Sequence, residues 1–130
     1  MHASGEFEVN LEPHDPFDSG SEGITLSRMS IDKTFHGDLE AKSHGEMLSV
    51  LTDVDGSAGY VAIEQVKGFL SGVSGTLVLQ HFGIMSHCEN RLILEVVPHS
   101  GTGQLVNLSG NMTIKIEGGR HFYELDYSLA

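Results

Sequence analysis

The sequence predicts an all-β fold, an eight-stranded antiparallel up-and-down barrel, and three observations indicate it. Glycine accounts for 16 of the 130 residues and is spaced between short apolar runs. Valine, isoleucine, threonine, phenylalanine and tyrosine recur in those runs, which is typical of strands. The links between the runs are mostly short, so successive strands should be antiparallel neighbours. Closing such a sheet into a barrel removes its exposed edges, and a two-sheet β-sandwich is the alternative architecture.

The predicted strands are separated by stretches rich in glycine, serine, aspartate or asparagine, such as DVDGSAG at 53–59 and SGVSG at 71–75. A longer polar segment at about 11–23 holds two of the three prolines and several acids, and we expect an exposed acidic loop there. The whole chain, residues 1–130, is expected to be one domain. The predicted strands cover residues 3–10, 25–35, 38–51, 59–70, 76–85, 91–97, 111–117 and 121–129.

The alternation of side chains gives most strands one apolar face. Pairing the last two strands across Gly118 and Gly119 sets one apolar row beside another, with Met112, Ile114 and Ile116 next to Tyr123, Leu125 and Tyr127. The hairpin at 59–85 differs, because both of its faces are apolar. Such a hairpin needs a second partner besides the lumen, so we expect a homo-oligomer that associates through the outer face of this hairpin.

Composition limits the partners. The chain carries 18 acidic and 7 basic residues, a formal net charge of −11, without a cluster of lysine and arginine. Nucleic acid and anionic membranes are therefore not expected as partners. The N-terminal segment resembles no signal peptide, and no window has the roughly 20 apolar residues of a membrane helix. We expect a cytoplasmic protein, and the single cysteine, Cys88, is consistent with a reducing compartment.

The strongest acid–base grouping is Glu64, His81 and Tyr60. Centring the turn of the hairpin near residues 72 and 73 makes Glu64 and His81 direct cross-strand neighbours, with Tyr60 on the same face. A carboxylate orients an imidazole and raises its basicity, and a phenol can donate a hydrogen bond. Burial would raise the pKa of the carboxyl and the attraction to His81 would lower it, so the direction is open. A satisfied structural pair is the alternative interpretation.

Lys33 lies on the apolar face of its strand, beside Met29, Ile31 and Phe35. It could bind an anionic ligand, act as a base, or extend its ammonium out of the barrel mouth. Because Lys33 lies near the end of the predicted strand, the extended conformation is favoured.

Metal and phosphate sites are not predicted. His87, Cys88 and Glu89 are adjacent in a turn and lack the spacing of a tetrahedral site. The glycine-rich stretch GTGQLVNLSG at 101–110 has no lysine and precedes a strand, so it lacks the features of a phosphate-binding loop. No cofactor is expected. The stretch is interpreted as a barrel element, with Leu105 and Leu108 closing one end of the core.

Several stretches resemble a known group of barrels. GTGQLVNLSGNMTIKI at 101–116 is similar to a segment of allene oxide cyclases and dirigent proteins, which are eight-stranded barrels. The stretches 29–41, 56–83, 96–112 and 123–129 resemble a bacterial family of unknown function in that barrel superfamily. The family pattern includes Lys33, Tyr60, Glu64, His81 and Tyr127, which overlaps the acid–base grouping. We expect catalytic residues at Glu64, His81 and Tyr60 and ligand-binding residues at Lys33 and Tyr127.

Three functions are compatible with these features. The first is an isomerase-like or cyclase-like enzyme whose lumen confines a small apolar molecule while Glu64 and His81 exchange a proton. The second is a ligand-binding barrel without catalysis. The third is an oligomeric interaction module, for which the lumen should be packed solid.

Overall fold

The structure is a computed structural model that describes residues 1–87 and 89–129. Eight antiparallel strands pair in chain order, and the first pairs with the last, so the sheet closes into an up-and-down barrel. The predicted fold class is confirmed, and the sandwich is excluded. The strands are β1 (His2–His14), β2 (Thr25–Gly37), β3 (Leu39–Leu51), β4 (Ala58–Leu70), β5 (Val73–Ser86), β6 (Glu89–Val96), β7 (Leu108–Glu117) and β8 (Arg120–Leu129).

Two predicted boundaries differ from the structure. β1 continues through Leu11 to His14, paired with β2, so the polar loop begins at Asp15 and the prediction of a loop from residue 11 was wrong there. β5 begins at Val73 because Ser71 and Gly72, the two turn residues, both have positive φ. Positive φ at both central residues is the conformation of the tight turns that join two twisted antiparallel strands directly.

The tight turn fixes the register of β4 against β5. Leu70 pairs with Val73, which places Glu64 opposite Leu79 and His81 opposite Ala62. The predicted direct pairing of Glu64 with His81 is therefore wrong by two residues. A shift of two residues keeps both side chains on the same face of the sheet, so they are diagonal neighbours inside the barrel.

The predicted register of the last two strands is confirmed, with Met112 opposite Leu125 and Ile114 opposite Tyr123. The hairpin of β4 and β5 is apolar on both faces, as predicted. Tyr60, Ala62 and Val66 point into the barrel. The exposed outward side chains include the apolar residues Val61, Ile63, Phe69 and Phe82.

One end of the barrel is closed by the connection between β6 and β7. A single 3₁₀ turn at Gly103–Leu105 lies against β5, where the backbone N–H of Thr102 donates to the carbonyl of Thr76 at 2.9 Å. Leu105 and Leu108 are 1% and 2% exposed, which confirms their predicted burial. A Cβ on Gly101 would lie 1.9 Å from the carbonyl oxygen of Leu105, so only glycine permits this compact turn.

The core fills the half of the lumen next to this closed end. Large apolar side chains from most strands meet there with almost no exposure, and they include Phe35, Leu39, Leu70, Leu77, Leu79, Leu94, Tyr123 and Leu125. No helix in the described part of the chain is long and apolar enough to cross a membrane.

Candidate functional site

A buried carboxylate lies in the middle of the barrel. Glu64 points inward from β4 and has no exposed surface. Its Oε2 accepts hydrogen bonds from Nζ of Lys33 at 2.8 Å and from Nε2 of His81 at 2.6 Å. Its Oε1 accepts a hydrogen bond from the hydroxyl of Ser43 at 2.7 Å. β2, β3 and β5 thus each supply one hydrogen-bond donor to the carboxylate of Glu64 on β4.

The network keeps Glu64 ionised. Burial of the carboxyl raises its pKa. The hydrogen bond from His81 and the charge and hydrogen bond of Lys33 together lower the pKa by more than burial raises it, to about 2. The opposing effects that the sequence left open are therefore decided by the two donors. A group with this pKa is a carboxylate at neutral pH, and it can only accept hydrogen bonds.

The carboxylate determines which nitrogen of His81 carries a proton. Because Glu64 only accepts, Nε2 of His81 must be the donor, and a neutral ring then has its lone pair on Nδ1. The hydroxyl of Tyr60 lies 3.5 Å from Nδ1, which is the outer limit of a hydrogen bond. Burial, followed by the charge of Glu64, raises the pKa of Tyr60, so its hydroxyl stays protonated at neutral pH.

The other half of the lumen is open and forms a cavity of about 660 Å³. Lys33, Tyr60 and His81 line the cavity, and Glu64 lies behind them. Most of the remaining wall is apolar and includes Phe7, Ile31, Met47, Met85, Leu92 and Ile114. A cavity with an apolar wall and a few convergent polar groups is the usual form of a small-molecule site.

Small residues make space in this half of the barrel. Gly83 is the direct cross-strand partner of Tyr60, and a Cβ on Gly83 would lie 2.2 Å from the Tyr60 ring. The aromatic ring therefore lies flat over the glycine and beside His81. Gly45 pairs with Glu64, where a Cβ would lie 1.9 Å from the carbonyl oxygen of Ile63. The glycine thus lets β3 approach β4 closely next to the carboxylate.

The structure brings four of the five predicted site residues together, namely Glu64, His81, Tyr60 and Lys33. The predicted extension of Lys33 out of the barrel mouth is wrong, because Lys33 is only 7% exposed and pairs with Glu64. Its strand continues to Gly37, so Lys33 lies inside the barrel and not at its end. Tyr127 does not join the group. It lies near the closed end, where its hydroxyl contacts the hydroxyl of Ser71 at 3.5 Å.

Ser43 and His121 were not singled out in the sequence. Ser43 alternates with exposed Lys42 and His44, so period-two alternation would have placed it on the inner face of β3. His121 lines the cavity near its mouth, with its ring 5.1 Å from the ring of Phe7. Nothing in the sequence indicates which inward residue of β3 faces Glu64.

Other candidate sites are weaker. Among residues 1–87 and 89–129, no group of three or more His, Cys, Asp or Glu side chains could hold a metal ion. Cys88, from the motif SHCEN, lies outside the described residues. A depression of about 620 Å³ lies on the outside of β1–β4 and is lined mainly by polar side chains such as Asn10, Asp32 and Gln65.

Comparison with known proteins places the chain in a family. Residues 3–127 match the model of the DUF3224 family, described as a protein of unknown function. The chain belongs to the DUF3224 family. A crystal structure of a DUF3224 protein of unknown function from Shewanella oneidensis MR-1 is 56% identical and superposes with a TM-score of 0.98. The match covers 100% of this chain and 97% of the Shewanella chain. The comparison with curated proteins gave no significant match.

Membership of DUF3224 confirms the predicted resemblance to a family of unknown function and assigns no role to any residue. The wider kinship with allene oxide cyclases stays a prediction. The physical chemistry of the cavity and of the Glu64 network is therefore the basis for a functional hypothesis.

Proposed function

We propose that this DUF3224 barrel binds a small, mostly apolar molecule in the open half of its lumen. The observation that carries the proposal is the cavity of about 660 Å³, whose apolar wall ends at three polar side chains, Lys33, Tyr60 and His81. A molecule that fits this lining has an apolar body and a polar atom at one end. The apolar body gains from leaving water, and the polar side chains orient the molecule.

The charge of the protein favours a neutral molecule. The formal net charge of −11 repels anions before they reach the barrel mouth. Inside the barrel, the ammonium of Lys33 is already balanced by the carboxylate of Glu64 at 2.8 Å. Arg91 is another cation of the lining, but it is exposed, so an anion at the inner end of the cavity would leave water to meet only a lysine that is already paired, which is costly.

A second candidate function, an isomerase-like or cyclase-like activity, is favoured by the hydrogen bond from His81 to Glu64. It leaves Nδ1 of His81 as the nitrogen that can accept a proton on the side of the cavity. The sequence predicted a proton exchange between Glu64 and His81. Because Glu64 is ionised and stays so at neutral pH, His81 alone is the proposed proton acceptor. The resemblance to allene oxide cyclases, which confine an apolar substrate in a barrel, supports this candidate.

A cytoplasmic location fits a chain with a single cysteine.

Binding can be tested with the neutral apolar fluorophore N-phenyl-1-naphthylamine. Ala58 and Val61 lie on the same strand, Ala58 in the cavity wall and Val61 on the outer surface. Ala58→Trp should fill part of the cavity and weaken probe binding at least about tenfold, or roughly 1.4 kcal/mol. Val61→Trp adds the same side chain outside and should leave the affinity unchanged. Equal affinities in both variants, or a loss only with Val61→Trp, would refute binding in the lumen.

A further inference from the structure

The polar side chains at the inner end of the cavity, Lys33, Tyr60 and His81, are complementary to one class of small molecule. We infer that the cavity accepts an apolar ketone with an acidic hydrogen on the carbon next to the carbonyl, and that His81 moves this proton while Lys33 holds the carbonyl oxygen. The inference rests on the proposed function, because it requires that the lumen binds a small apolar molecule.

Lys33 supplies the donor. Its ammonium carries three N–H groups, and within the described residues Glu64 is the only hydrogen-bond acceptor that it reaches. The ring of Phe7, with its centroid 4.7 Å from Nζ, covers another side of the ammonium. Lys33 lines the cavity while being 7% exposed, so a donor is left for an oxygen of a bound molecule. A buried donor of this kind stabilises the negative charge that forms on an enolate oxygen.

His81 supplies the acceptor. Its Nε2 hydrogen is held by Glu64, and the lone pair of Nδ1 faces the hydroxyl of Tyr60 at 3.5 Å, a contact long enough for a proton of the bound molecule to replace it. The same carboxylate oxygen, Oε2 of Glu64, also accepts the hydrogen bond from Lys33. One carboxylate oxygen thus positions both the ammonium of Lys33 and the ring of His81, and both side chains line the cavity.

The reaction is a proton shift that needs no other reactant. The C–H bond next to the carbonyl breaks, and its proton binds Nδ1 of His81. The electron pair forms a carbon–carbon double bond, and the carbonyl becomes an enolate oxygen that accepts a hydrogen bond from Lys33. Glu64 stabilises the resulting imidazolium. The proton then returns to the same carbon, or to the carbon two bonds further along an unsaturated chain, which isomerises the molecule.

Hydrogen exchange in D₂O tests this step without knowledge of the natural substrate. Phenylacetone and 2-tetralone are small apolar ketones with acidic hydrogens beside the carbonyl. Displacement of N-phenyl-1-naphthylamine shows whether each ketone enters the cavity, and proton NMR measures the loss of its acidic hydrogens. The protein should accelerate exchange of a bound ketone at least about 100-fold over buffer, the usual contribution of a positioned base.

Variants identify the base. His81→Gln should lose at least about 100-fold of the exchange rate, while probe affinity stays within about twofold. His44→Gln, at an exposed position on the outer surface of β3, should match the wild type. Lys33→Gln retains an N–H donor without the charge and should lower kcat more than it changes KM. Loss of exchange with His121→Gln but not with His81→Gln would overturn the assignment of the base.

The outcomes separate the two proposals. A ketone that displaces the probe but exchanges no faster than in buffer overturns the proton-shift inference and leaves the binding proposal standing. Failure of both the probe and the ketones to bind refutes both. If His81→Gln does not fold, His81→Asn replaces it, and a folded variant of either kind that exchanges a bound ketone at the wild-type rate overturns the assignment of the base. If neither folds, wild-type exchange no faster than in buffer still overturns the inference.

Discussion

Nζ of Lys33 lies 2.8 Å from Oε2 of Glu64 in the interior of the barrel, where the two side chains are 5% and 0% exposed. Neither charge could be buried alone without a large loss of hydration. Together with Ser43 and His81, the pair forms the boundary between the packed half of the lumen and the open half. The stability of this boundary and the properties of the candidate site therefore depend on the same atoms.

Removal of one charge should leave the other buried and uncompensated. Lys33→Met and Glu64→Gln should each lower the free energy of unfolding by about 3–5 kcal/mol. The double variant should lose clearly less than the two single losses combined, with a coupling of at least about 1 kcal/mol. Urea denaturation of the four proteins measures this cycle.

A surface pair provides the matched control for that cycle. Nε of Arg28 lies 2.7 Å from Oε1 of Glu46, and both side chains are substantially exposed. The cycle of Arg28→Met and Glu46→Gln should give a coupling below about 1 kcal/mol. Equal couplings for the buried and the surface pair would show that burial does not strengthen the Lys33–Glu64 interaction.

The low pKa of Glu64 predicts a specific pH dependence of stability. The native pKa of about 2 lies below the ordinary value of 4.5, so the unfolded chain takes up this proton first as the pH falls. The contribution of Glu64, about 3 kcal/mol by the size of the shift, is complete above pH 4.5 and is lost between pH 4.5 and 2. The difference in unfolding free energy between wild type and Glu64→Gln should therefore shrink by about 2 kcal/mol between pH 6 and pH 3. A constant difference would contradict the assignment.

The fold and the membership of the inner face could be predicted from the sequence because both depend on local patterns. Alternation with period two places Tyr60 and Glu64 on one face of β4, and His81 shares that face for any turn that shifts the pairing of β5 by an even number of residues. The register could not be predicted, since it depends on Ser71 and Gly72 both adopting positive φ. The predicted register was wrong by two residues, so Glu64 pairs with Leu79 and not with His81, but both Glu64 and His81 still point into the barrel.

The pairing of Lys33 with Glu64 was beyond sequence reasoning. Lys33 is on β2 and Glu64 is on β4, and these strands are separated by β3. Only the curvature of the closed barrel brings the two inward side chains within hydrogen-bond distance across Ser43. The cavity was also not predictable in size, because it results from small inward residues such as Ala58 and Gly83 at one end and leucines at the other.

The packing of Tyr60 on Gly83 predicts a strong effect of a single methyl group. Gly83→Ala would place Cβ 2.2 Å from Cε1 of Tyr60, so the ring must move away from its present position over Gly83. We expect a loss of about 1–3 kcal/mol in unfolding free energy, as for other overpacked interiors. In a Tyr60→Ala background the same change should cost much less, because the ring is absent. Thermal or urea unfolding of the four proteins tests this, and equal costs in both backgrounds would contradict the contact.

The outer face of β4 and β5 predicts self-association. Val61 and Ile63 are 48% and 56% exposed on successive outward positions of β4, and Phe82, directly opposite Val61 on β5, extends this surface. Such a contiguous apolar area on a sheet is typical of a protein interface.

A second copy of the chain is the partner that we expect at this surface. The strip is apolar and its acidic neighbour Glu46, beside Ile63, is paired with Arg28, so two chains of net charge −11 can approach there. Light scattering at micromolar concentration should give a multiple of the chain mass, and Ile63→Lys should reduce it to one chain. Val106→Lys changes an equally exposed apolar residue near the closed end of the barrel and should leave the assembly intact. A wild-type protein with the mass of a single chain would refute the prediction, and dissociation by Val106→Lys alone would move the interface to the closed end.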